Sequence, residues 1–164
     1  MPSDYDGAIA DFTKAIELNP RYATAYALRG AFYHSKEQYD KAIADFTKAI
    51  KINPKYAAAY YNRGSAYGDK GNYNKARADF TKAIELDPKL SIAYNNRGVV
   101  YLRKGAHDKA IADFTKAIEL DPKYATAYYN RGSAYDDKGV KGIAEADWRK
   151  AKELEHEGGW HLYE

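Results

Sequence analysis

The chain contains no cysteine in 164 residues. That excludes a disulfide framework and thiolate metal sites, and it is compatible with a reducing compartment. No apolar run approaches the ~20 residues that span a bilayer, so membrane insertion is not expected. The opening, MPSDYDGAIADF, has no basic stretch followed by an apolar one, which argues against a signal peptide and for a cytoplasmic location. Neither sign of charge dominates: 26 basic and 23 acidic side chains leave a formal +3, interspersed along the length. Such a surface is mixed and solvated, without the basic concentration of a nucleic-acid or membrane-surface binder. What is present is a 45% hydrophobic composition, enough for a folded core.

Proline is scarce, and its placement gives the organisation. Pro20, Pro54, Pro88 and Pro122 recur every 34 residues. Their neighbours recur with them: Asp11-Phe12-Thr13-Lys14-Ala15-Ile16 returns at 45–50, 79–84 and 113–118, and degraded at Asp147-Trp148-Arg149-Lys150-Ala151. Each period holds two apolar stripes at helical spacing, such as Ala57, Tyr60, Gly64 and Tyr67, then Ala42, Ile43, Phe46, Ala49 and Ile50 in the other type. Each unit is therefore expected to be a helical hairpin. Gly71, Gly105 and Gly139, with Glu37 at the same place, should end the first helix, because a helix C-terminus favours the left-handed conformation that glycine adopts at little cost. The prolines should end the second, since the residue before each is pushed out of the α region.

This pattern resembles the tetratricopeptide repeat family. Its signature of aromatic, glycine, aromatic, alanine, aromatic, alanine and proline is met by Tyr60, Gly64, Tyr67, Ala76, Phe80, Ala83 and Pro88. The flanking repeats fill it with Tyr26, Gly30, Tyr33, Ala42, Phe46, Ala49 and Pro54, and with Tyr94, Gly98, Tyr101, Ala110, Phe114, Ala117 and Pro122. A fourth unit keeps Tyr128, Gly132, Tyr135, Ala144, Trp148 and Ala151 but has His156 for proline. The resemblance implies an all-α fold, a right-handed α-solenoid of antiparallel helix-turn-helix repeats, in which Gly64 lets its helix approach the next at Ala76. A single array is expected over 1–154. It comprises an orphan second helix at 5–19, complete repeats at 23–54, 57–88 and 91–122, a divergent repeat at 125–154, and a tail at 155–164. Lys152, standing where the other repeats have isoleucine, reads as a polar outer cap, and Gly142 makes the last hairpin atypical. Tyr5, Ile9 and Phe12 begin the array without a partner helix. They, with Trp160, Leu162 and Tyr163 of the tail, are the candidates for self-association.

Arg29, Arg63, Arg97 and Arg131 precede the repeat glycines, where the family more often has leucine. Sixteen residues after each stands an aspartate on the facing helix: Asp45, Asp79, Asp113 and Asp147. A guanidinium near a helix contact must find acceptors or lead its head to water, so intra-repeat Arg–Asp pairs of structural purpose are expected. Asparagine is a poorer helix former than alanine by roughly half a kcal/mol, yet Asn62, Asn96 and Asn130 recur in the first helices. The resemblance implies that these helices line a concave surface, placing the amides in a row where each can donate to and accept from a peptide bond. The competing reading is inheritance by repeat duplication. Leu28 interrupts the row in the first unit. Tyr61, Tyr129, Ser65, Ser133, Asp69, Asp136, Asp137, Arg103 and His34 should flank it and set specificity.

The lysine and asparagine places by which some family members clamp the C-terminal carboxylate of heat-shock chaperones hold Ala27 and Ala31, or Tyr61 and Ser65. That argues against such a clamp. The four histidines are scattered, and His156-Glu157 is followed at the fourth place by Trp160 instead of a second histidine, so no metal, cofactor or catalytic site is expected. Repeat proteins that read RNA base by base have basic grooves, unlike this near-neutral chain. The expected function is a non-enzymatic scaffold that binds an extended peptide or a helix of a partner protein. The alternative is self-assembly into a homo-oligomer.

Overall fold

The computed structural model describes residues 4–157, which form nine α-helices and no strand. The chain divides into two compact units, Met1–Pro88 and Lys89–Glu164. The first holds α1 (Tyr5–Leu18), α2 (Ala23–Ser35), α3 (Tyr39–Ile52), α4 (Ala57–Asp69) and α5 (Tyr73–Leu86). The second holds α6 (Ser91–Arg103), α7 (His107–Leu120), α8 (Ala125–Asp137) and α9 (Lys141–Glu157). In each unit every helix packs on its chain neighbour, and the first helices of successive hairpins also touch, α2 on α4 and α6 on α8. No helix among the described residues is long and apolar enough to cross a membrane.

The helix ends follow from local chemistry. Gly71, Gly105 and Gly139 have φ of +77°, +71° and +77°, and Glu37 takes φ +58° at the matching turn. This left-handed residue lets the next amide reach back five residues: Asn72 N–H bonds the Tyr67 carbonyl at 2.8 Å, and Ala106 the Tyr101 carbonyl at 2.9 Å. Two orphan groups at the helix end are thereby satisfied. Before the prolines, Asn53 and Asp121 leave the helix with φ of −127° and −136°. Their side-chain oxygens then accept the amides of Lys55 and Lys123 at 3.2 and 3.1 Å, closing short turns.

Within a hairpin the core is small on one side and aromatic on the other. Ala42, Phe46 and Ala49 are fully buried, as are Ala110, Phe114 and Ala117. The repeat glycines face the aromatic ring sixteen residues on, more closely than the alanine twelve residues on. A Cβ on Gly30 would lie 2.9 Å from Phe46 Cε1, and one on Gly64 the same distance from Phe80 Cε1, with the Ala76 carbonyl at 3.2 Å. The glycine thus makes room for a phenyl edge. In the last hairpin Trp148 takes the ring's place, 2.8 Å from where a Gly132 Cβ would stand. The cores repeat instead of converging: one cluster of Tyr26, Ala27, Ala49 and Ala59 and another of Ala42, Phe46 and Ala66 lie in the first unit, and Ala110, Phe114 and Ala134 form one in the second. Each unit is a stretch of α-solenoid in which stability rests on neighbouring helices.

Candidate functional site

The first helices carry an arginine whose surroundings repeat from hairpin to hairpin. Arg63 donates from Nε to Asp79 Oδ2 at 2.7 Å and from Nη2 to Oδ1 at 2.8 Å. Arg29 meets Asp45, Arg97 meets Asp113 and Arg131 meets Asp147 with the same two-pronged geometry, every bond 2.8 Å. Planar guanidinium and carboxylate match in this arrangement, which is stronger than a single neutral hydrogen bond. The four aspartates are buried, and hydrogen bonding to them raises each arginine above its ordinary value against the opposing cost of burial. The guanidinium also lies between two stripe tyrosines. Arg63 Cζ is 5.7 Å from the Tyr60 ring centre and 6.0 Å from that of Tyr67.

A third partner was not anticipated from spacing. Nη1 of Arg29, Arg63 and Arg131 donates to the hydroxyl of Thr13, Thr47 and Thr115 at 3.0, 3.1 and 3.2 Å. Each threonine belongs to the second helix of the preceding hairpin. The arginine therefore ties its own hairpin together and fastens it to the one before. The Asp-Phe-Thr-Lys repeat contained the signal, since aspartate and threonine are two places apart and each faces a different arginine.

The asparagines differ from one another. Asn62 is half-buried, and its side chain has no hydrogen bond among the described residues. In the second unit the buried Asn95, which occupies the place of Tyr61, accepts from Asn130 Nδ2 at 3.0 Å and donates to Asn96 Oδ1 at 3.2 Å. Two of the expected groove amides are thus joined through a third, and part of their capacity is used within the protein. Asn130 keeps an Oδ1 without a donor among the described residues.

The flanking residues divide likewise. Tyr61 is half-buried with its ring 5.8 Å from Phe80, whereas Tyr129 is 58% exposed. Ser65 and Ser133 donate to their own helix carbonyls, Tyr61 O at 3.2 Å and Tyr129 O at 3.1 Å, so their hydroxyl protons are engaged. His34 Nε2 stands 2.6 Å from Asp69 Oδ2, linking α2 to α4. Arg103 and Asp136 are exposed at the ends of α6 and α8. Asp137 lies 3.8 Å from His107 Nδ1, a buried nitrogen with no hydrogen bond among the described residues. On α1, Tyr5 and Phe12 set their rings 6.0 and 5.9 Å from Phe32, and Ile9 is half-buried. No residue of α1 is buried, and Leu18 is 78% exposed. Trp160, Leu162 and Tyr163 lie outside the described residues.

Comparison with known proteins fits this geometry. A family model described as TPR repeat matches residues 3–36 and 30–71, and two described as tetratricopeptide repeat match 61–125 and 114–152. No curated protein matches the chain. Among solved structures, one titled as the crystal structure of MamA is 32% identical, with 94% of this chain and 91% of that one covered and a TM-score of 0.86. A second structure of MamA protein is 30% identical, covering 98% and 88%, with a TM-score of 0.83. A MamA fragment from Desulfovibrio magneticus RS-1 shares the fold at 20% identity, covering 96% and 89%, with a TM-score of 0.86. Hairpins of one length, a glycine seated on an aromatic ring and family models running end to end along the array lead to one assignment: the chain belongs to the tetratricopeptide repeat family.

Proposed function

We propose that the first helices present a recognition surface for an extended peptide or a helix of a partner protein, and that the chain acts as a scaffold without catalysing a reaction. The observation that carries this reading is Asn62, a half-buried amide in mid-helix with no intramolecular hydrogen bond among the described residues, flanked by Tyr61 and Ser65. An amide there costs helix propensity and gains nothing inside the hairpin. A peptide bond laid against it satisfies both its donor and its acceptor. Asp69 and His34 extend the surface in the first unit, and Asn96, Asn130, Tyr129, Asp136, Asp137 and Arg103 present a like surface in the second. The test is an unbiased peptide-library selection against the full chain. Enriched peptides whose binding drops on combined Asn62→Ala, Asn96→Ala and Asn130→Ala support the reading, and a selection that enriches nothing sensitive to that variant removes it.

A second reading is association with another copy through α1. It is favoured by the contrast between α1, which buries no residue, and α3, whose Ala42, Asp45, Phe46 and Ala49 are all buried. Static light scattering at high concentration decides it, since a strictly monomeric chain rules out self-assembly as the main function.

A further inference from the structure

We propose that one stripe of α8, from Tyr129 to Asp136, binds a basic polyproline-type segment of a partner polypeptide carrying two cationic side chains three residues apart. The proposal rests on the peptide-surface reading above and assigns that surface a ligand chemistry.

The stripe arises from a substitution within the repeat. Tyr61 settles beside Phe80, ring centres 5.8 Å apart. In the last hairpin the Phe80 place is held by Trp148, whose indole fills the space beside Gly132 and donates from Nε1 to the Tyr129 carbonyl at 3.2 Å. Tyr129 has no ring partner among the described residues and is 58% exposed. Beside it, Asn130 gives one amide proton to Asn95 and keeps its Oδ1 open. Seven residues on, Asp136 is exposed and has no ion-pair partner among the described residues. The nearest lysine in sequence, Lys138, is paired with Asp108 and does not neutralise it.

Residues seven apart lie on one helix face, so Tyr129 and Asp136 stand ~10 Å apart along α8 at about 1.5 Å per residue. A polyproline helix rises ~3.1 Å per residue with three residues per turn, so side chains three apart project to the same side ~9 Å apart. Fully extended chain does not match, because positions three apart then point to opposite faces. One guanidinium or ammonium lies on the Tyr129 ring, the other pairs with Asp136, and the backbone N–H of the cationic residue over Tyr129 donates to Asn130 Oδ1. The chain as a whole carries +3, so attraction for a basic ligand is a property of this stripe and not of net charge.

The experiment is fluorescence polarisation with the full chain and labelled proline-rich peptides. One contains Arg-Pro-Pro-Arg, one has the arginines two apart, and one has glutamates in place of arginines. Arg-Pro-Pro-Arg should bind at least tenfold tighter than either control and weaken with added salt. Tyr129→Ala and Asp136→Asn should each reduce binding about tenfold. Glu145→Gln, an exposed acidic control on α9, should leave it unchanged. Trp148→Phe, which restores the kind of ring that Tyr61 rests on at Phe80, should weaken binding while the circular dichroism remains helical. Equal loss from Glu145→Gln and Asp136→Asn would mean diffuse charge attraction and overturn the proposal. If the library instead yields neutral or acidic peptides that depend on the asparagines, the peptide-surface reading stands and this inference falls. If no peptide binds, both fall.

Discussion

Replacing Arg63 by leucine isolates the worth of the repeated ion pair. The substitution removes two charge-assisted bonds from Asp79 and leaves a carboxylate only 9% exposed at its side chain. Breaking a buried pair from one side costs about 3–5 kcal/mol, because the stranded charge keeps its desolvation penalty. Arg63 retains 18% side-chain exposure, which places the cost near the low end, at about 3 kcal/mol. Leucine between the Tyr60 and Tyr67 rings returns about 1 kcal/mol of apolar burial. The net loss is then about 2 kcal/mol, or roughly 4–8 °C in melting temperature for a chain of this length. Calorimetry and circular dichroism give the shift, and hydrogen exchange should show α4 and α5 opening more readily. The double variant Arg63→Leu with Asp79→Leu should recover most of the loss, since replacing both charges with apolar groups leaves nothing stranded. A melting temperature unchanged or raised in Arg63→Leu alone would refute the reasoning, as would strict additivity in the double variant.

The glycines offer a paired test, because Gly98 and Gly68 are both helical but meet different surroundings. Gly98→Ala places a Cβ 2.7 Å from Phe114 Cε1 and should destabilise by about 1–3 kcal/mol, while Gly68→Ala, whose nearest heavy atom is 3.9 Å away, should stabilise by up to about 1 kcal/mol in thermal melts. Glu37 holds a left-handed conformation that costs a side-chain-bearing residue roughly 1 kcal/mol, so Glu37→Gly should raise the melting temperature and Gly71→Ala lower it. The hydrogen bond and charge of Lys138 hold the Asp108 carboxyl below its ordinary value. A depressed folded-state value means the pair stabilises above the unfolded carboxylate range and its contribution is lost as pH falls through the folded value. Lys138→Met should move the Asp108 titration upward in a carboxyl NMR experiment.

The hairpins were legible because they depend on signals one helix or one turn long. Period, proline and glycine each act locally, and helix ends at Asn53 and Gly71 need no knowledge of what other hairpins do. Asp79 opposite Arg63 was legible for a related reason, since sixteen residues across an antiparallel turn returns the chain to the same height. Thr47 was not, because its contact with Arg63 depends on the register between hairpins, and threonine on an outer helix face looks like any solvated residue. The expected row of amides met the same difficulty. Asn95 occupies a tyrosine place and reads as one more surface asparagine, but it is buried and joins Asn96 to Asn130. Only side-chain packing separates it from Asn62.

The four copies of the hairpin also act as an internal comparison, in which one scaffold is held fixed while a single place changes. Arginine and glycine stand at 29–30, 63–64, 97–98 and 131–132, and the same carboxylate bonds recur at each. Two residues before each arginine the chain instead has Ala27, Tyr61, Asn95 and Tyr129. Ala27 and Asn95 are buried, Tyr61 is half-buried against Phe80, and Tyr129 is exposed, its carbonyl accepting from Trp148 Nε1. A place that varied under no constraint would give four solvated side chains, whereas only one of these four is exposed, two being buried and one resting on a ring. Since the arginine node already fixes the hairpin, this place is free to differentiate the surface. Exchanging Tyr129 and Asn95 should therefore alter which peptides bind while shifting the melting temperature by less than Arg63→Leu does. A loss of folding on that exchange would show the place to be structural and its variation to carry no specificity.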